Sequence, residues 1–151
     1  MPNIPTTLSL SLALFLAACG GSDSESLTQR YELEAKAEAW EDHGLSVVFP
    51  GQQPTCTSLI VRFSVHTSQP GLPAGISAKS VILSKGSIAS WTQDVSEAET
   101  GQVNATTLEG VARGCRADSF SEGDVLEVKV LLKAGEEHSE VKTSIKLYYV
   151  S

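Results

Sequence analysis

Through most of this chain apolar and polar residues alternate with a period of two, not the 3.6 of a helix. From Thr57 to Thr67, Leu59, Val61, Phe63 and Val65 share one face, and Ile60, Arg62, Ser64 and His66 the other. That pattern predicts a strand with one face in a core. The segments Val125 to Lys133 and Val141 to Val150 repeat it. Leu126, Val128, Val130 and Leu132 line up on one, and Val141, Ile145, Leu147 and Tyr149 on the other. The polar stretch AGEEHSE joins them, so they are expected to pair as an antiparallel hairpin, with Phe120-x-Glu122-Gly123-Asp124 as the turn that leads in. Tyr31 to Trp40, YELEAKAEAW, admits two readings. Its strict alternation favours a strand, whereas its Ala, Glu, Lys and Leu are strong helix formers. The strand is preferred because the later segments are all strand-like.

Shorter signals complete the series. Leu45 to Phe49 reads as an apolar strand ended by Pro50-Gly51. The SQPGLPAG stretch, Ser68 to Gly75, breaks the pattern. Strands are expected at Ala78 to Ser84 and Ser87 to Gln93, turning at Lys85-Gly86. Asp94 to Gln102 is polar without periodicity and reads as an exposed loop, and Val103 to Cys115 reads as one extended segment. Seven or eight short strands without a long helix predict an all-β fold, an antiparallel two-sheet sandwich over residues 29–151. In strand count, spacing and closing hairpin the chain loosely resembles immunoglobulin-like and fibronectin type III-like domains. It departs from antibody-type domains in having no Trp in the expected strand between its cysteines, since Trp91 comes late.

The first residues follow a different rule. Leu8 to Leu16, LSLSLALFL, is an apolar run too short for a bilayer span, which needs about 20 apolar residues. Leu16-Ala17-Ala18-Cys19 follows, and it resembles the lipobox of bacterial lipoproteins at every position. The resemblance implies a signal peptide over residues 1–18 and diacylglycerol on the Cys19 thiol, with cleavage just before Cys19. Acylation of the freed amine would add a further chain. At about 0.8 kcal/mol per buried methylene, two or more chains hold firmly. The leader departs from the pattern in one respect: MPNIPTT carries no Lys or Arg before the apolar run. Residues 19–28 continue as the lipidated cysteine and a Gly/Ser/Asp-rich tether. Gly20, not Asp, follows the lipidated position, which by analogy with two-membrane hosts implies the outer membrane. The expected location is therefore the cell envelope, attached through the N-terminal lipid.

With Cys19 assigned to lipid, Cys56 and Cys115 remain as a pair in an oxidising compartment, and a disulfide is expected. It would close a loop of about 60 residues, worth ~4 kcal/mol in the chain-entropy model. The net charge of −7 lies entirely beyond residue 22, so the expected domain is acidic. An acidic surface repels phosphate backbones and anionic lipid, which argues against nucleic acid as a partner.

Catalytic signatures are lacking: the sequence contains no G-x-S-x-G, Walker loop, H-E-x-x-H or EF-hand pattern. His43, His66 and His138 lie in separate segments. Glu136 to Glu140 reads as a solvated hairpin tip, and Asp94, Glu97 and Glu99 match no calcium loop. No cofactor or metal is therefore expected. Asn104-Ala105-Thr106 fits a glycosylation sequon. Trp40 and Trp91 are the candidate binding residues, because an exposed Trp can stack on a sugar or anchor a protein contact. The expected function is a non-enzymatic binding or structural domain contacting another envelope protein. A carbohydrate-binding module is the alternative, followed by a protease inhibitor using the SQPGLPAG loop, or an enzyme.

Overall fold

In the computed structural model, which describes residues 25–42, 57–116 and 120–150, the alternating segments become strands. A one-turn helix, α1 (Leu27–Arg30), comes first. The strands are β1 (Leu33–Asp42), β2 (Ser58–Thr67), β3 (Ser77–Lys85), β4 (Ala89–Asp94), β5 (Thr100–Asn104), β6 (Thr107–Cys115), β7 (Val125–Ala134), β8 (Glu137–Lys146) and β9 (Tyr148–Val150). The expected leader, Cys19, the Leu45 to Phe49 strand, His43 and Cys56 lie outside the described residues.

Two sheets form. One runs β5-β6-β2-β1-β9 and the other β4-β3-β7-β8. In the lettering of immunoglobulin-like sandwiches, β1, β2, β6 and β5 stand as A, B, E and D. β3, β7 and β8 stand as C, F and G, with β4 as C′. The ladders are antiparallel except where β9 runs parallel to β1, Trp40 opposite Tyr148. The inward rows expected from the alternation meet between the sheets. Leu59, Val61, Phe63 and Val65 face Leu126, Val128, Val130 and Leu132, all at most 1% exposed. At about 25 cal/mol per Å² of apolar area removed from water, this shared row is the main source of stability.

One contact fixes how closely β2 and β6 can be furnished. The Phe63 ring occupies the space where a side chain on Gly110 would go, its Cζ 2.3 Å from an ideal Cβ there. The two residues face each other in register, so glycine at 110 admits the ring.

Four sequence expectations change. Residues 31–40 are strand, shifted to Leu33–Asp42, because Ser26 and Gln29 form a capping box that starts α1 just upstream. α1 begins inside the segment expected as tether, and its Leu27 is buried. Asp94 to Gln102 is not simply a loop: Val95 is buried, Glu97–Glu99 is a 3-10 turn, and β5 starts at Thr100. Val103 to Cys115 is not one extended segment, since the chain reverses at Ala105-Thr106 between β5 and β6. There Asn104 Oδ1 accepts from the Thr106 N–H at 2.9 Å, so the sequon residues build an Asx turn.

The closing unit changes too. Its turn is only Gly135-Glu136, with Gly135 at φ +60°, the first central position that a type II′ hairpin reserves for glycine. Val141 to Val150 divides at Leu147. Leu147 is buried, donates to the Asp124 carbonyl and accepts from the Gly123 N–H, each at 2.9 Å. These bonds carry the chain from one sheet to the other, where β9 joins β1.

Candidate functional site

The outer face of the five-stranded sheet is set by the residues that alternate out of phase with the core. Read across the strands, its rows are Tyr148–Trp40–Ile60–Arg113, Glu38–Arg62–Val111, Lys36–Ser64–Glu109–Gly101 and Glu34–His66–Thr107. Trp40 is half-buried on this face. Its ring stacks against Tyr148 with centroids 6.2 Å apart, and the Arg62 guanidinium lies 5.8 Å over it. Arg62 also meets Glu38 at 3.5 Å. Ile60, flanked in register by Trp40 and Arg113, points outward yet is 7% exposed.

The third row is lower than its neighbours. Ser64 and Gly101 put small groups where other rows carry long side chains, and a Cβ on Gly101 would meet nothing within 4 Å. Two hollows result, on either side of Glu109. One, of about 260 Å³, reaches down to Ala37 and Phe63 between Lys36, Glu38, Arg62 and Ser64. The other, of about 500 Å³, lies over Gly101 between Val103, Val111, Glu99 and Arg113. The hollows share Arg62 and Glu109 in their linings, and the pair, termed the trough, crosses the strands. Lys36 and Glu109 are in no ion pair among the described residues.

At one end of this face three side chains connect. Ser64 Oγ lies 2.9 Å from His66 Nε2, and His66 Nδ1 lies 3.2 Å from Thr107 Oγ1. A hydroxyl on each ring nitrogen differs from an acyl-transfer triad, in which a carboxylate holds the imidazole. Oxyanion donors are a second requirement. β2 lies between β1 and β6, so its amides belong to the two ladders. The face offers hydrogen-bonding side chains and an aromatic pair with a guanidinium over one ring.

The other candidate residues fall elsewhere. Trp91 is in the core at 6% exposed, and its indole N–H donates to the Cys115 carbonyl at 2.6 Å. It therefore packs beside a cysteine after all, but from β4. Cys115 ends β6 opposite Ser58 and is not a free thiol. Two of the three carboxylates expected at a hairpin tip are engaged: Glu137 pairs with Arg30, and Glu140 lies 3.4 Å from both Lys129 and Lys142. Glu99 meets Arg113 at 3.3 Å. Among the described residues no three His, Cys, Asp or Glu side chains gather as a metal site. The SQPGLPAG loop is pinned to the β5–β6 turn, Leu72 N–H donating to the Ala105 carbonyl at 2.8 Å. A further groove lies between α1 and the second sheet, but Ser139 within it already bonds Thr28.

Sequence reasoning pointed to Trp40 and missed Tyr148, Arg62 and the trough. Its only accessible signal was the outward phase of Ile60, Arg62, Ser64 and His66. Among the described residues no helix is long and apolar enough to cross a membrane. No family model matches the chain, and no curated protein matches it.

Proposed function

We propose that this chain is a lipid-anchored envelope protein whose sandwich is a non-enzymatic recognition domain, with the outer face of the five-stranded sheet as its contact surface. The observation that carries the reading is the trough. A rigid sheet presents Lys36, Glu38, Arg62, Ser64 and Glu109 around a hollow without a covering element among the described residues. Fixed strands hold such groups at defined spacing, which suits selective binding.

The anchor reading rests on Leu16-Ala17-Ala18-Cys19. From Cys19 to Ser26 the chain can reach at most about 25 Å, so the end of the sandwich carrying α1 would stay near the bilayer. The strands run away from that end, and the contact face stands alongside them. Replacing Cys19 by Ser is expected to move the protein from the membrane fraction to the soluble or precursor pool. Retention of a processed variant on membranes would remove the anchor from the reading.

The same proposal includes a Cys56–Cys115 bridge. Cys115 is opposite Ser58 in register, two residues beyond Cys56 in sequence, and it is not a free thiol. Such a bridge would tie neighbouring strands of one sheet at its rim.

Recognition is tested by placing a photo-cross-linking residue in the full-length lipidated protein, at Ser64 or at Lys129 on the opposite sheet. Capture of an envelope component from Ser64 and not from Lys129 is expected. The reverse result would move the contact surface to the other sheet.

A further inference from the structure

We infer that the trough takes an uncharged, linear glycan laid across the strands. This names the ligand class of the face proposed above and rests on that reading. The charged groups lining the two hollows balance: Lys36, Arg62 and Arg113 stand against Glu38, Glu99 and Glu109. A surface with donors and acceptors interleaved and no excess of either sign gives no long-range attraction to a polyanion or polycation. It matches a ligand whose groups both donate and accept, as sugar hydroxyls do.

Shape points the same way. The trough passes over β1, β2, β6 and β5, three strand spacings or ~14 Å, the length of a short run of sugar rings. It is shallow, and its base at Gly101 carries no side chain. The apolar side chains lining it are Ala37, Phe63, Ala98, Val103 and Val111. That offers no deep socket for the aromatic anchors on which protein interfaces usually depend. Lys36 and Glu109, in no ion pair among the described residues, place an ammonium and a carboxylate at either side of Ser64. Each can reach a hydroxyl without first breaking a salt bridge. Trp40 and Tyr148 lie two rows away along the strands, outside the path of a ligand laid across them.

The test is calorimetric titration of the full-length lipidated protein in detergent micelles with unbranched glucan, xylan and chitin oligosaccharides of increasing length. Binding is expected to be saturable, to strengthen with length up to the span of the trough and then to level off. Glu109→Gln should weaken it about tenfold, the loss of one charge-assisted hydrogen bond. Gly101→Tyr has open space above an edge strand, so it should fold normally and abolish binding. Lys129→Ala on the opposite sheet should leave it unchanged.

Binding that survives Gly101→Tyr would overturn the inference, since the glycan would then sit elsewhere. So would an absence of binding by every oligosaccharide to folded protein. In that case the Ser64 cross-link separates the two readings. A capture lost in Gly101→Tyr would keep this face with a protein as its occupant, and no capture from Ser64 would end the recognition-face reading as well.

Discussion

The two ends of the sandwich are tied in different ways. At the end carrying α1, the ties lie near solvent. Thr28 N–H donates to Ser139 Oγ at 3.1 Å, its hydroxyl donates to the Glu140 carbonyl at 2.6 Å, and Arg30 pairs with Glu137. At the far end two ties go inward: Glu41 is fully buried and meets Arg116 at 3.1 Å, and Trp91 donates to the Cys115 carbonyl. A third, Asp124 with Lys85 at 2.8 Å, is partly exposed. The far end is also where β9 leaves one sheet for the other. The crossover itself is held by Asp124, which accepts from the Leu147 N–H through its carbonyl and binds Lys85 through its carboxylate. The α1 end is closed by short turns at Gly135-Glu136 and Ala105-Thr106.

The largest expected effect is at the far end. If Cys56 and Cys115 are bridged, Cys115→Ala should lower the unfolding free energy by about 4 kcal/mol, through the entropy regained by the unfolded chain. Chemical denaturation with and without reductant measures it. Equal stability in both conditions would remove the bridge and leave the far end tied by side chains alone.

Next comes Arg116. Removing it leaves the Glu41 carboxylate buried without its guanidinium, and breaking a buried pair from one side costs more than the pair contributes. Arg116→Ala should destabilise by about 3 kcal/mol, and adding Glu41→Gln should restore part of the loss. No recovery in the double variant would mean that Arg116 acts by packing its stem, not by its charge.

These ties also mark what could be read in the chain beforehand. β2 and β7 were legible because each has one face wholly in the core, so their alternation is unbroken. β5 was not: nearly every residue from Thr100 to Asn104 is exposed, and an edge strand without a buried face leaves no period to find. The start of β8 was hidden for the same reason, since Glu137 to Glu140 lie on an edge. Trp40 could be placed on the polar face of its strand. Its contact with Tyr148 could not, because it depends on β9 running parallel to β1 after the break at buried Leu147. The trough was equally out of reach. It exists only because register sets Gly101, Glu109 and Ser64 in one row from three separate strands.

A third tie at the far end depends on pH. The hydrogen bond from Lys85, with that from the Ser121 N–H, lowers the Asp124 carboxyl below its ordinary value of 3.8. Between the lowered value and 3.8 the unfolded chain holds more protons than the folded one, so stability rises with pH there. Asp124→Asn should therefore melt earlier than the parent at neutral pH. The gap should stay constant down to about pH 4, then close as the pH falls further and the parent's carboxyl protonates. A gap that persisted in strong acid would assign the loss to the turn's hydrogen bonds, not to the charge.

The smallest effect is expected at the α1 end. Arg30 and Glu137 are each about half exposed, with side-chain values of 42% and 55%. Water solvates both charges when they separate, and holding two flexible side chains together consumes entropy, so Arg30→Ala should cost under about 1 kcal/mol. Thr28→Ala removes a hydroxyl that donates to the edge-strand carbonyl of Glu140, worth about 1 kcal/mol at most against water. Amide exchange is the sharper probe of both variants. Protection should fall in α1 and the first residues of β8 while Trp91 and the strands around it keep theirs. Loss of protection at both ends together would show that α1 belongs to the same cooperative unit as the buried ties. The contrast would then be one of solvent exposure and not of stability.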